Sequence, residues 1–191
     1  MDIIMKKYLS GSWAIVKYYL FVMVFYYIFI VGFYSVPGYF SIATFIVLIP
    51  LIYYEMTNYV GFDKRQFGGI RPFEGAIYGL LAIAPFALIQ ILLFLIVPHL
   101  DLSFISADIK YDVLKYAVVK VFIAPMLFIP KLVGYSSIWG YVLAWFTVIL
   151  SAFLGYFSGY KGFDLGSFTR SLFGLQPKKK STTKKYSRFR A

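Results

Sequence analysis

The chain has 191 residues, of which 61% are hydrophobic and only 14% are charged, and its formal net charge is +11. Soluble domains are typically about 45–50% apolar and about 25% charged, so this composition excludes an ordinary soluble domain and predicts a membrane protein. The chain has no cysteine, which excludes disulfides, thiolate metal sites, cysteine nucleophiles and iron–sulfur clusters. Its apolar residues form long blocks rather than the alternating pattern of a membrane barrel, so we predict an all-α integral membrane protein.

The first predicted span covers residues 13–34, about 33 Å of helix, which matches a hydrocarbon core of roughly 30 Å. Lys6 and Lys7 precede it as in a signal peptide, but the apolar stretch is longer than that of a signal peptide and no small-residue cleavage site follows. We therefore expect this span to be retained as an anchor. An uncharged turn at 35–38 leads to a second span at 39–60, and the two are predicted to form a helical hairpin.

The third and fourth predicted spans, at 73–98 and 136–158, form a second hairpin. Glu74 suits the positive end of the third helix, and Gln90 lies near its centre, where packing or a hydrogen bond between helices is favoured over a polar path. No ionisable residue is predicted deep in any of the four spans. An ion-coupled carrier is disfavoured on this ground.

The stretch at 108–133 is apolar but falls short of a full span. About ten residues, or about 15 Å of helix, separate Lys120 from Lys131, and Pro125 and Pro130 interrupt them. A longer span would place Lys120 in its middle, at a cost of roughly 2.5–3.5 kcal/mol. We favour a re-entrant or interfacial segment here over a fifth span.

The distribution of positive charge favours four spans. With four, the N-terminal lysines, the basic connector between the second and third spans, and the basic C-terminal tail share one side, opposite the acidic loop at 99–112. With five spans, the basic tail would lie on the same side of the membrane as the acidic loop, which the positive-inside bias opposes. We therefore predict a polytopic membrane domain at 1–160 in a bacterial cytoplasmic membrane, with both termini cytoplasmic.

A short motif, Tyr-x-Gly-Phe-Asp-x-x-x-Phe, occurs twice, each time after a long apolar run. Both copies would lie where a span returns to the cytosol. The glycines would end the helix in the left-handed conformation, and the aspartates would cap a short helix along the interface. Chance is an equal explanation, because these residue types are abundant in the chain. The residues of this exit motif are Tyr59, Gly61, Phe62, Asp63, Tyr160, Gly162, Phe163 and Asp164.

Small residues spaced four apart mark one face of the third and fourth spans. Such faces let helix backbones approach closely in lipid, so we predict that these two spans cross there, with packing against a partner protein as the rival explanation. The predicted helix-packing residues are Gly75, Gly79, Ser151, Gly155 and Gly159.

Little in the sequence points to catalysis. His99 and Asp101 lack the further ligands and spacing of a metal site, and no nucleophile elbow, phosphate-binding loop or dinucleotide fingerprint occurs. We expect no enzymatic activity, no cofactor and no bound metal.

The C-terminal tail, residues 161–191, holds about half of the 19 Lys and Arg residues and is predicted to be mobile. Basic clusters beside a span bind anionic headgroups, whereas contact with nucleic acid would be nonspecific and is disfavoured. The predicted lipid- or partner-binding residues are Lys178, Lys179, Lys180, Lys184, Lys185, Arg188 and Arg190.

The sequence therefore favours a non-enzymatic membrane subunit or scaffold, whose tail contacts anionic lipid or an acidic partner. Other membrane subunits or a second copy of the chain are the expected partners. The alternative is a small transport component, a substrate-binding membrane subunit working with a separate ATPase.

Overall fold

The computed structural model describes residues 3–32, 37–96, 120–134 and 138–163. All regular structure in these ranges is helical. A 3₁₀ turn, Ala124–Met126, lies between the third and fourth α-helices. The α-helices are α1 (Ile3–Gly32), α2 (Pro37–Phe67), α3 (Glu74–Ile96), α4 (Phe128–Val133) and α5 (Ile138–Tyr160).

Four of these helices, α1, α2, α3 and α5, are long and apolar enough to cross a membrane. The prediction of an all-α fold with four such helices is confirmed for the described residues. Two of them are longer than predicted, because α1 begins at Ile3 rather than near residue 13 and α2 continues past residue 60 to Phe67. These extra turns bring charged residues into the helices.

The four long helices form one bundle. α2 and α3 each pack against both α1 and α5, so the start of α1, the end of α2, the start of α3 and the end of α5 meet at one end. We call this the Lys7 end. Fully buried Tyr19, Ile52 and Val148 lie in the core, while Phe25 and Leu88 are among many large apolar side chains exposed on the outside. An apolar exterior around a packed interior suits a lipid environment. The division into two hairpins stays a prediction, since α2 contacts α5 as well as α1.

Residues 120–134 insert between the helices toward the other end of the bundle. Ile123 is fully buried there. The hydroxyl of Tyr19 donates to the carbonyl of Phe122, and the backbone N–H of Phe128 donates to Oγ of Ser41 at 3.1 Å. Irregular backbone at membrane depth requires such partners from the protein, because lipid offers none. The preceding part of the segment lies outside the described residues, so its re-entrant path stays a prediction.

The first copy of the exit motif does not end a helix. Gly61 lies inside α2, and the helix ends instead at Phe67, before Gly68 at φ 72°. The predictions that Gly61 terminates the span and that Asp63 caps an interfacial helix are wrong. A glycine costs a helix only about 0.5–1 kcal/mol, and continuing the helix carries Asp63 to two hydrogen-bonding tyrosines in the bundle.

The second copy does lie at a helix end. Gly162 follows α5 and has φ 74°. The N–H of Gly162 donates to the carbonyl of Gly159 at 3.0 Å, and the N–H of Phe163 donates to the carbonyl of Ser158 at 2.9 Å. This is the hydrogen-bond pattern of a helix closed by a left-handed glycine. The two copies thus have different backbone structures; Asp164 lies outside the described residues.

Candidate functional site

The predicted helix-packing glycines lie in two separate contacts. Gly75 and Gly79 of α3 face α5: a Cβ built on Gly75 would lie 2.7 Å from the carbonyl oxygen of Ala152, and one on Gly79 would lie 3.0 Å from Cα of Ile149. A side chain at either position would therefore be crowded by backbone atoms of α5. The absence of a side chain at these two glycines lets α3 approach α5 closely.

The small residues of α5 face a different helix from the one predicted. A Cβ on Gly159 would lie 2.5 Å from the carbonyl oxygen of Thr57 in α2, and Oγ of Ser151 donates to the carbonyl of Ile49 at 3.0 Å. Gly155 also lies against α2. The prediction that this stripe meets α3 is wrong, because α5 presents the stripe to α2 and a neighbouring face to α3.

A buried polar cluster joins all four long helices at the Lys7 end. It consists of Lys7 from α1, Asp63 from α2, Glu74 and Tyr78 from α3, and Tyr156 from α5, and we call it the ionic cluster. Lys7 is 7% exposed, Glu74 5% and Asp63 0%. The cluster lies at one end of the bundle, so the expectation that no ionisable residue lies deep in the four spans stays a prediction.

Lys7 makes the charged contacts of the cluster. Its Nζ lies 2.7 Å from Oε1 of Glu74 and donates to the carbonyl of Gly69 at 2.8 Å, and it lies 3.7 Å from Oδ2 of Asp63. The backbone N–H of Arg71 donates to the other oxygen of Glu74, Oε2, at 3.1 Å. Both oxygens of Glu74 are thus bonded to donors, which stabilises its charged form in the bundle.

Two tyrosines connect the carboxyl groups. The hydroxyl of Tyr78 donates to Oδ2 of Asp63 at 2.5 Å. The hydroxyl of Tyr156 lies 2.7 Å from the same oxygen and 2.8 Å from Oε2 of Glu74. The second oxygen of Asp63, Oδ1, is buried and accepts no hydrogen bond from the described residues. Asp63 is therefore less well supplied with donors than Glu74.

A cleft of about 370 Å³ opens beside the cluster. It is bordered by α1, by the end of α2 and by the connector to α3, and both Lys7 and Glu74 reach it. Asp63 and Tyr156 do not line the cleft and lie behind these two residues. The cluster thus has an accessible side and an enclosed side. The lining residues are Ile4, Lys7, Tyr8, Phe67, Gly69, Ile70, Arg71 and Glu74.

The hydropathy pattern of the sequence does not predict this cluster, although the sequence carries one signal for it. A first span that begins at residue 13 leaves Lys7 outside it, as a flanking residue. The buried positions of α1 nevertheless recur every three or four residues from Lys7 onward, as expected for one face of a continuous helix. The members of this buried stripe are Lys7, Gly11, Ile15, Tyr19, Val22 and Tyr26.

Gln90 is buried, and its Oε1 accepts a hydrogen bond from Nε1 of Trp145 at 2.8 Å. This bond links α3 to α5, so the hydrogen bond between helices expected at Gln90 is present. The described residues contain no group of three or more potential metal ligands. His99, Asp101 and the basic residues of the tail lie outside the described residues.

No protein-family model matches this chain, and neither the curated proteins nor the solved structures give a match.

Proposed function

We propose that this protein is a non-enzymatic, multi-spanning membrane subunit or scaffold that assembles with other membrane proteins or with a second copy of itself. The observation that carries the proposal is the distribution of polar groups in the bundle. The charged side chains of the ionic cluster bond to groups of the bundle's own helices, and large apolar side chains cover the outside of all four. A helical bundle of this kind has a stable interior and an extensive apolar surface that can contact lipid and partner helices.

We place the Lys7 end at the cytosolic face of a bacterial cytoplasmic membrane, with both termini cytoplasmic. Exposed basic residues surround this end, and positive residues beside spans favour the cytosolic side. They are Lys6, Lys64, Arg65, Arg71 and Lys161. In this orientation the basic tail, residues 161–191, would lie in the cytosol and contact anionic headgroups or an acidic partner.

A small transport component is the second candidate, and the ionic cluster is the observation that favours it. Ionisable residues inside a membrane bundle are costly and commonly mark a path for an ion or substrate. Here they border a cleft of about 370 Å³. A transport component would use this cleft together with a separate ATPase.

The role of the tail is tested with the full chain in nanodiscs of zwitterionic lipid, mixed with vesicles that contain or lack phosphatidylserine. We expect the wild-type chain to associate with the anionic vesicles and to dissociate as salt rises. A variant with the basic residues of 178–190 replaced by glutamine should lose at least tenfold in affinity, because each contributes about 1 kcal/mol near the surface. Equal affinity for both kinds of vesicle would show that the tail does not bind anionic lipid.

The choice between subunit and transport component is tested by cross-linking in the native membrane and by reconstitution. A subunit should be recovered in a complex of defined stoichiometry that persists through purification. Isolation as a lone monomer would contradict the subunit proposal. ATP-dependent solute uptake that requires this chain and is lost in a Glu74→Gln variant would instead establish the transport role.

A further inference from the structure

Two cavities adjoin at the Lys7 end of the bundle. The first is the cleft of about 370 Å³ beside the ionic cluster. The second, of about 570 Å³, lies between α1 and α3 on the outside of the bundle, and we call it the groove. Both volumes fall in the range of about 300–1,000 Å³ that is usual for ligand sites. Ile4 and Tyr8 line both cavities, so the cleft and the groove meet at these two side chains. The residues that line the groove are Ile4, Met5, Tyr8, Leu9, Ser12 and Leu81.

The two cavities differ in polarity. Lys7, Arg71 and Glu74 border the cleft. The groove contains no charged side chain, and four of its six lining residues are aliphatic or Met. The hydroxyl of Ser12 donates to the carbonyl of Tyr8 at 2.7 Å within α1, so its hydrogen is already bonded inside the helix. A polar cavity thus opens into an apolar one.

The groove runs from the end of the bundle toward its middle. Along α1 it extends from Ile4 to Ser12, which is about 12 Å of helix. On α3 it reaches Leu81, about 10 Å of helix beyond Glu74 at the start of α3. In a bilayer the polar cavity would therefore lie at the surface and the apolar one beneath it. The headgroup and the acyl chain of a lipid are arranged in the same order.

Arg71 gives the cleft a positive charge that is not paired with any described residue. Its backbone is fixed at the start of α3, because its N–H donates to Oε2 of Glu74 at 3.1 Å and its carbonyl accepts from the N–H of Glu74 at 3.2 Å. Its guanidinium forms no ion pair or hydrogen bond with a described residue, whereas Lys7 and Glu74 pair with each other at 2.7 Å. A guanidinium offers five N–H donors in a planar fork that fits a phosphate group.

The charges around the cleft also favour an anion. None of the described acidic residues at the Lys7 end is exposed, since Asp63 and Glu74 are both buried. Basic pockets between transmembrane helices bind the headgroups of anionic lipids. The exposed basic residues at this end, besides Arg71, are Lys6, Lys64, Arg65 and Lys161.

We propose that the cleft and the groove together bind one anionic phospholipid, with its phosphate at Arg71 and one acyl chain along α1 and α3. The groove selects a ligand with a chain, because a free phosphate would leave the apolar walls without a contact. The guanidinium selects the headgroup, because an apolar groove alone would accept the chain of any phospholipid. This site is separate from the basic tail. It goes beyond the proposed function, and it is the same for a subunit and for a transport component.

Native mass spectrometry of the full chain in detergent micelles tests the site, with lipids of identical acyl chains as probes. The chain carries glutamine at the basic residues of 178–190, so a failure of the tail to bind lipid does not affect the result. We expect one phosphatidylglycerol per chain, bound about tenfold or more tightly than phosphatidylcholine. Equal affinity for the two lipids would overturn the proposal. Glycerol 3-phosphate should not displace the lipid; displacement at equal concentration would show that the site takes a free phosphate compound instead.

A first pair of variants locates the headgroup. Arg71→Gln should weaken phosphatidylglycerol binding about tenfold or more, because it removes the charged donors to the phosphate. The control Arg65→Gln removes an exposed guanidinium whose Nε donates to the carbonyl of Gly61 in its own helix at 3.0 Å and which does not line the cleft. It should leave the affinity nearly unchanged. Equal losses in the two variants would overturn the placement of the phosphate at Arg71.

A second pair of variants locates the acyl chain. Leu9→Trp fills part of the groove and should weaken phosphatidylglycerol binding about tenfold or more. The control Leu88→Trp makes the same change at a leucine of α3 that is equally exposed, 59% against 58%, but lines neither cavity. Both leucines lie on the outside of the bundle, so neither change disturbs the core. Equal affinity in the two variants would overturn the placement of the chain in the groove.

Discussion

Replacing Lys7 with methionine should lower the free energy of unfolding by about 3–5 kcal/mol. Methionine keeps an apolar stem of similar length but removes the ammonium group, which lies 2.7 Å from Oε1 of Glu74 and 2.8 Å from the carbonyl of Gly69. The carboxylate of Glu74 then stays buried at 5% exposure without its cation. We expect the loss toward the lower end of the range, because a carboxylate that loses its cation can take up a proton.

The matched control is Lys6→Met, which changes the neighbouring lysine on the exposed side of the same helix turn. It should alter the free energy of unfolding by no more than about 0.5 kcal/mol. The double variant Lys7→Met/Glu74→Gln removes both charges and should cost less than the sum of the two single variants, with a coupling of about 0.5–3 kcal/mol.

Reversible unfolding in mixed micelles, titrated with a denaturing detergent and followed by circular dichroism, measures all four variants. Two results would refute the reasoning. One is a Lys7→Met variant as stable as Lys6→Met, which would mean that the buried ion pair contributes nothing. The other is strict additivity in the double variant, which would mean that Lys7 and Glu74 do not interact.

Two further predictions use the same assay. Gly155→Ala should lower the free energy of unfolding by about 1–3 kcal/mol, because the added Cβ would overlap the backbone of α2. Gly61→Ala should raise it by about 0.5–1 kcal/mol, because nothing lies within 4 Å of the added carbon. A change of the same sign in both variants would contradict the packing described here. Ser41→Ala should lower the free energy of unfolding by about 1–3 kcal/mol and speed hydrogen exchange of the Phe128 amide, because that amide loses its acceptor. The control Ser12→Ala should change neither quantity measurably, because among the described residues the Ser12 hydroxyl bonds only within its own helix. Unchanged exchange at Phe128 in Ser41→Ala would show that the serine does not hold the inserted segment.

The number and type of the long helices could be predicted from the sequence because the length of an apolar run reports directly on the thickness of a bilayer. The ends of those helices could not. Gly61 resembles a helix terminator in isolation, but the bonds that Asp63 gains from two other helices outweigh the small helical cost of one glycine. Hydropathy likewise places the start of the first span near residue 13, because a hydropathy scale penalises Lys7 as a charged residue. The scale takes no account of the distant Glu74 that neutralises it.

Partners across the bundle were harder to predict than local structure. The spacing of Ser151, Gly155 and Gly159 identifies a smooth face of α5, but nothing in that spacing says which helix the face contacts. The ionic cluster is an extreme case, since its members are spread from residue 7 to residue 156 and come together only after four helices pack. Such a cluster can be recognised from sequence only when the buried stripe of each helix is followed to its end.

The order in which the helices are synthesised decides when the ionic cluster is completed. α1, α2 and α3 emerge from the ribosome before α5, so Asp63 and Glu74 enter the membrane before Tyr156 is available to bridge them. Until the last helix docks, the nascent bundle carries carboxyl groups without their full set of donors. A chain truncated before α5 would keep Asp63 and Glu74 without the one hydroxyl that contacts both of them.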